Sequence, residues 1–285
     1  EFHQWARSRQ LLTMNTTATH DTKRGEDTRM RINLLSERAD QWSELSLLWN
    51  DLYKKYRQEI SGKKFPSEND IYFIYQTLVG TYPFHTSPLE ENYAERLQDY
   101  LLKAIREAKI NSSWSNPNED YERSLRLFIR DLLADTKFLE SLQKFAHPLA
   151  RKSVTYSLAQ LLLKITTPGV PDIYQGTEFW DLSMVDPDNR RPVDYQARQL
   201  QLKRFEGSEN SLELAKELCN RLDDPAIKMY TLYQSLQLRK RWESLFAESF
   251  YEPIVVTGPK SKNIVAFLRR HLDRFVIVVV PREVI

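Results

Sequence analysis

A single cysteine, Cys219, stands in 285 residues. No internal disulfide framework can therefore brace this chain, and the composition suits a reducing compartment. No apolar run approaches the roughly 18 residues that a membrane span needs. The first residues, Glu1-Phe2-His3-Gln4-Trp5, lack the charged, apolar and small-residue regions of a secretory signal. An excess of either charge is missing too, because 41 Lys and Arg face 39 Asp and Glu. Without a basic stripe, neither nucleic acid nor an anionic membrane is called for as a partner. The expectation is a cytoplasmic protein. Its start without Met is what an excised fragment or a processed product would look like.

The length suffices for two or three cores, or for one core with appendages, and most of it carries a helical pattern. Glu1 to Gln10 reads as the tail of a helix, and Leu11 to Ala18 has strand-like content. Trp42, Leu45, Trp49, Leu52 and Tyr56 recur at spacings of three and four, the apolar stripe of a long amphipathic helix. Gly62 and Pro66 end it. A shorter helix with Ile71, Ile74, Tyr75 and Leu78 on one face closes at Gly80 and Pro83.

Tyr93, Leu97, Leu101 and Ile105 mark the next helix. Asn116-Pro117 opens another, with Tyr121, Leu125, Phe128 and Leu132 as its stripe and proline in its first turn. Phe138, Leu142 and Phe145 continue the helical density to Pro148. Roughly Thr28 to His147 is thus expected to be all helical, without internal repeats. It fits an insertion between two strands or a free-standing bundle equally well. A buried helix over Leu149 to Ile165 leads past Pro168 and Pro171 into a short strand, Asp172-Ile173-Tyr174, and helices resume from Tyr195 to Trp242. The β-branched runs Ile264–Leu268 and Phe275–Val280 read as an antiparallel hairpin that needs further strands or helices to stand in water. Aromatics, 12% of the chain, line sugar subsites in some proteins and fill cores in most.

The most informative residues are Thr19-His20-Asp21-Thr22-Lys23-Arg24-Gly25-Glu26-Asp27, a dense polar cluster at the end of the Leu11–Ala18 strand. Barrel enzymes keep their chemistry at such strand ends. The string resembles the fourth conserved segment of the α-amylase superfamily of retaining glycosidases, in the form typical of its maltooligosyl trehalose synthase family. Thr167-Pro168-Gly169-Val170-Pro171-Asp172-Ile173-Tyr174-Gln175-Gly176-Thr177-Glu178 is similar to the eighth barrel strand and its loop. Val185 to Tyr195, and Phe65 to Gly80, also resemble that family. The four matches come in the expected order.

The resemblance implies a mainly α chain with a small β part, the C-terminal fragment of a (β/α)8-barrel enzyme. Residues 1–28 would be the barrel strand 7 region and catalytic loop, 29–148 a large helical insertion, and 149–205 a barrel helix and the strand 8 region. Residues 206–245 would be a helical segment, and 246–285 the start of a C-terminal β domain. The implied activity converts the reducing-end α-1,4 bond of a maltooligosaccharide to α,α-1,1. It uses no cofactor, and its partners are the maltooligosaccharide and the missing N-terminal barrel of the same polypeptide.

Asp21 would be the third catalytic carboxylate, with His20 hydrogen-bonding the same sugar. Lys23 would meet hydroxyls around the bond being rearranged. Arg24 joins them in the substrate-binding loop, and with Asp27 it would hold the loop's shape. Read as ordinary surface cations, Lys23 and Arg24 would instead pair with Glu26 and Asp27. A retaining mechanism also needs a nucleophile and a general acid about 5 Å apart. No Gly-x-Arg-x-Asp signature precedes Thr19, and Glu178 and Asp181 match neither missing segment. The chain alone is expected to be inactive.

Asp186-Pro187-Asp188-Asn189-Arg190-Arg191 is not a calcium loop. Arg191 and Ala197 occupy the places that require glycine and a bidentate glutamate. No metal is expected. Asp186, Asn189 and Arg190 suit a hydrogen-bonded loop, either structural or acting on the acceptor sugar. Rival readings are a trehalose-releasing hydrolase, which the Lys-Arg-x-Glu-Asp continuation argues against, and a non-catalytic helical interaction module.

Overall fold

The computed structural model describes residues 1–9, 13–84 and 92–283, mainly as helices with a few short strands. They form two compact units. One comprises residues 20–151 and 182–191, the other residues 1–19, 152–181 and 192–285.

The first of these is built on helices Glu26–Glu37, Ala39–Tyr53, Glu68–Thr81, Tyr93–Ala108 and Glu119–Ala134, with the start of the long helix Thr136–Thr166. Aromatic rings fill its centre. Trp49 meets Trp42, Tyr75 and Phe138 edge-on, at 5.2 to 6.1 Å between ring centroids, a geometry that the ring quadrupoles favour. The stripe on Ala39–Tyr53 differs from the expected one. Its buried members are Trp42, Ser46, Trp49 and Tyr53, while Leu52 is exposed. The helix stops at Tyr53 and a 3-10 turn follows, so Tyr56 belongs to another element.

Other expectations are corrected. Gly62 does not end a helix. With Ser61 it forms the turn of a hairpin pairing Gln58–Ile60 with Lys63–Phe65, and both turn residues have positive φ, the conformation such tight turns demand. The segment is therefore not all helical. The shorter helix, Glu68–Thr81, does close between Gly80 and Pro83, with Gly80 its last residue but one. A Cβ there would come within 2.9 Å of Thr28 and 3.0 Å of Ile32, so glycine admits the helix Glu26–Glu37. Pro117 precedes the first turn of its helix, because Asn118 caps it by accepting the Tyr121 N–H at 3.1 Å. Pro148 does not stop the helix either; Thr136–Thr166 runs through it. The carbonyl that proline leaves unpaired is offset by burial of Ala146, Leu149 and Ala150 on either side.

In the other unit, Met14–Asn15 pairs in parallel with Val170–Pro171. The expected strands were Leu11–Ala18, whose first two residues lie outside the described ones, and Asp172–Tyr174, which directly follows the observed strand. Close approach explains where they pair. The Gly169 φ is +123°, and a Cβ would meet the Thr13 carbonyl oxygen at 2.4 Å. Asn15 Nδ2 donates to the Pro168 carbonyl at 3.1 Å. Two arginines serve the end of the long helix. Arg269 donates to the Thr166 carbonyl at 2.7 Å and Arg239 to that of Ile165 at 2.6 Å, cations where the helix dipole is negative. Burial lowers the Arg269 pKa to about 10.

The expected hairpin forms from Ile264–His271 and Arg274–Pro281. A third strand, Phe250–Pro253, joins its other edge. Phe267, Val278 and Val280 pack on Ala159, Leu162 and Leu163 of the long helix. Helices Tyr195–Glu206, Ser211–Cys219 and Ala226–Arg241 close around Phe205, Leu218 and Tyr230.

In the helical unit, Arg106 grips Glu122 through two hydrogen bonds, 2.7 and 2.6 Å long, and Ser112 adds a third. The Arg106 guanidinium holds the Glu122 carboxyl below its ordinary pKa. The pair therefore stabilises the fold above the unfolded carboxyl's pKa, and that stability disappears as pH falls through the folded value. Glu122→Gln should cost about 1.5–3 kcal/mol in urea unfolding at pH 7. The difference from the parent protein should shrink toward zero in strong acid.

Candidate functional site

All the candidate residues read from the sequence fall in the helical unit, on two loops. One loop, residues 20–25, leads into the helix Glu26–Glu37, whose buried first-turn acids Glu26 and Asp27 suit the positive end of its dipole. The other is 182–191, with a 3-10 turn at Asp188–Arg190. The Gly25 N–H donates to the Ser183 carbonyl at 2.7 Å, and Arg24 bridges Met184 in antiparallel fashion. The loops are joined backbone to backbone.

His20 and Asp21 side chains are 53% and 84% exposed, with Nε2 and Oδ2 3.1 Å apart. A carboxylate this exposed contributes little to the core and is open to a ligand. Paired with an imidazole, it can stabilise positive charge and hydrogen-bond hydroxyls. Lys23 does not turn to Glu26 or Asp27; its Nζ lies 2.6 Å from Oε2 of Glu107. Arg24 is half-buried, donating to Thr77 Oγ1 at 2.9 Å with its guanidinium 4.8 Å from the centre of the Phe73 ring. This arrangement holds the loop in shape.

On the second loop, Asp186 accepts from Arg190 Nε at 2.7 Å, and Lys103 Nζ donates to the Asp186 carbonyl at 2.7 Å. Asn189 Nδ2 donates to the His20 carbonyl at 3.0 Å. His20, Asp21, Lys23, Arg24, Asp186, Asn189 and Arg190 thus share two linked loops. Among the described residues, no group of three His, Cys, Asp or Glu could hold a metal ion.

Sequence reasoning missed the organiser of these loops. Arg96, Lys103 and Glu107 lie seven and four residues apart on Tyr93–Ala108, so they share one helical face. Arg96 binds Asp188, Lys103 binds Asp186 and Glu107 binds Lys23. The available signal was a charged period of seven and four flanking the apolar stripe of Tyr93, Leu97, Leu101 and Ile105. The Lys23–Glu107 pair is exposed, so it contributes little stability and chiefly directs the lysine.

No family model matches the chain. A Mycobacterium tuberculosis protein assigned as a maltooligosyl trehalose synthase is 36% identical over 272 residues, 94% of this chain. The chain is a homologue of the maltooligosyl trehalose synthases. It spans about a third of the length of the curated relatives it matches, 32% in this case. A solved maltooligosyl trehalose synthase superposes with a TM-score of 0.84 at 32% identity, covering 99% of this chain and 36% of its own. The enzyme from Arthrobacter ramosus does so with a TM-score of 0.79 at 30% identity, covering 99% and 34%.

Proposed function

We infer that the chain is the C-terminal portion of a maltooligosyl trehalose synthase and supplies the third carboxylate of its active site. The observation that carries this is Asp21, largely exposed beside His20 in a chain homologous over 94% of its length to a protein of that assignment. The parallel pairing of Met14–Asn15 with Val170–Pro171 supports adjacent strands 7 and 8 of a (β/α)8 barrel. On that reading 29–148 is an insertion between them, and the three-stranded sheet begins a C-terminal β domain. Balanced charge and the single cysteine suit a cytoplasmic enzyme. No described helix is long and apolar enough to cross a membrane.

The reaction is a glucosyl transfer within one molecule. A carboxylate nucleophile attacks the anomeric carbon of the penultimate glucose, while a carboxylic acid protonates the departing 4-oxygen of the terminal glucose. The freed glucose turns over without leaving. The acid, now a carboxylate, takes the proton from its anomeric hydroxyl, which attacks the same carbon and releases the nucleophile. Nucleophile and acid belong to the rest of the polypeptide. Asp21 acts on the oxocarbenium-like state between, where an ionised carboxylate gains energy as positive charge appears and so lowers the barrier. His20 donates to hydroxyls of that sugar. Lys23 detains the departing glucose, which together with exclusion of water separates isomerisation from hydrolysis.

The isolated chain should not convert maltopentaose. Reducing-sugar loss above a protein-free control, abolished by Asp21→Ala, would contradict this. In the complete polypeptide, Asp21→Asn should lower turnover about 100- to 1000-fold, the loss of about 3–4 kcal/mol of preorganised electrostatics. Its melting temperature should be unchanged, because the replacement is nearly isosteric. Near-normal turnover in the folded variant would remove the central residue. Lys23→Ala should raise the ratio of free glucose to trehalosyl product, and an unchanged ratio would leave Lys23 an ordinary surface cation.

A further inference from the structure

The geometry points to the buried Arg96–Asp188 pair as the positioning element for His20 and Asp21. The Asp188 side chain is only 7% exposed and that of Arg96 14%. A carboxylate withdrawn from water must be met by donors. Arg96 Nε and Nη2 reach its two oxygens at 2.7 and 3.2 Å, the Met184 N–H donates at 2.8 Å, and Arg191 Nε lies at 3.1 Å. A well-packed apolar substitute for such a pair is often no less stable. What the pair adds is a fixed geometry, imposed by a forked cation on a planar acceptor.

That geometry reaches the catalytic loop by two tethers. Next to Asp188 in sequence, Asn189 donates to the His20 carbonyl at 3.0 Å. Held by Asp188 through its N–H, Met184 bridges Arg24, and its neighbour Ser183 accepts from Gly25 at 2.7 Å. Asp21 lies between the tethered points, His20 and Arg24–Gly25, with a largely exposed side chain. Its flanks are thereby held in place. Arg96, Asp188 and Asn189 are positioning residues, and their effect on turnover rests on the catalytic reading of Asp21. A displacement of about 1 Å at a reacting centre can cost roughly 100-fold in rate.

The test uses the complete polypeptide with ring-13C histidine, the His20 signal being assigned from His20→Gln. Asn189→Ala and Arg96→Gln should each move that signal. Each should also lower kcat roughly 10- to 100-fold while KM changes by less than about 3-fold. Because both act along one path, the double variant should lose little more than the worse single one. Arg96→Lys, which restores the charge without the fork, should recover part of the loss. Arg123→Gln, which removes only an exposed pair with Asp120, should change neither readout.

An unmoved His20 signal in folded Asn189→Ala and Arg96→Gln would overturn the proposal. So would independent, multiplicative losses in the double variant. A moved signal with undiminished kcat would uphold the positioning and contradict the catalytic reading of Asp21 instead. If Arg96→Gln fails to fold, Asn189→Ala, which leaves the buried pair whole, carries the same test.

Discussion

A buried carboxylate needs donors from fixed directions, and Asp188 draws them from a distant helix, from its own loop and from a neighbouring side chain. The Arg96 side of this contact lies 92 residues away in sequence. Once it forms, the loop 182–191 has one place relative to the helix Tyr93–Ala108, and the loop 20–25 follows through Asn189 and Ser183. The same helical face holds Asp186 through Lys103 and Lys23 through Glu107. One helix thus acts as a template, with its apolar side in the core and its charged side on both candidate loops. Exposed groups that must meet a ligand cannot be packed into place, and buried neighbours hold them instead.

Much of this was legible from local pattern. Tyr121, Leu125, Phe128 and Leu132, read as a stripe, are all buried, and the hairpin near residue 270 follows from β-branched runs. The departures trace to forces that pattern does not encode. Tyr53 is buried in place of Leu52 because tertiary packing selects the face that carries Trp42, Ser46 and Trp49. Pro148 stays helical because its flanks are buried. The Ser61-Gly62 turn was concealed by a glycine that serves equally well as a helix stop. Sequence singled out members of the two candidate loops but assigned no role to Arg96 or Asp188, which meet only through a contact between distant segments.

The other unit has its own constraint at the segment Thr167–Pro171. Gly169 is the residue that permits the approach to Thr13, Asn15 satisfies the Pro168 carbonyl, and Arg239 reaches the Ile165 and Gly169 carbonyls. Those contacts set where two short parallel strands pair. The homology to maltooligosyl trehalose synthases spans nearly the whole chain but about a third of those proteins. On the proposed reading, a carboxylate, an imidazole and a lysine in linked loops form one side of a sugar site, and the remainder of the polypeptide would supply nucleophile and acid.

The central claim is that Asp21 and His20 meet sugar. A crystal structure of the complete polypeptide soaked with a maltooligosaccharide, its nucleophile replaced to prevent turnover, tests this most directly. The account predicts Asp21 Oδ and a His20 ring nitrogen within about 3.2 Å of hydroxyls on one glucose unit, with Lys23 Nζ reaching the neighbouring reducing-end unit. Sugar bound in the barrel with Asp21 and His20 turned to solvent, out of hydrogen-bond reach of every hydroxyl, would contradict it.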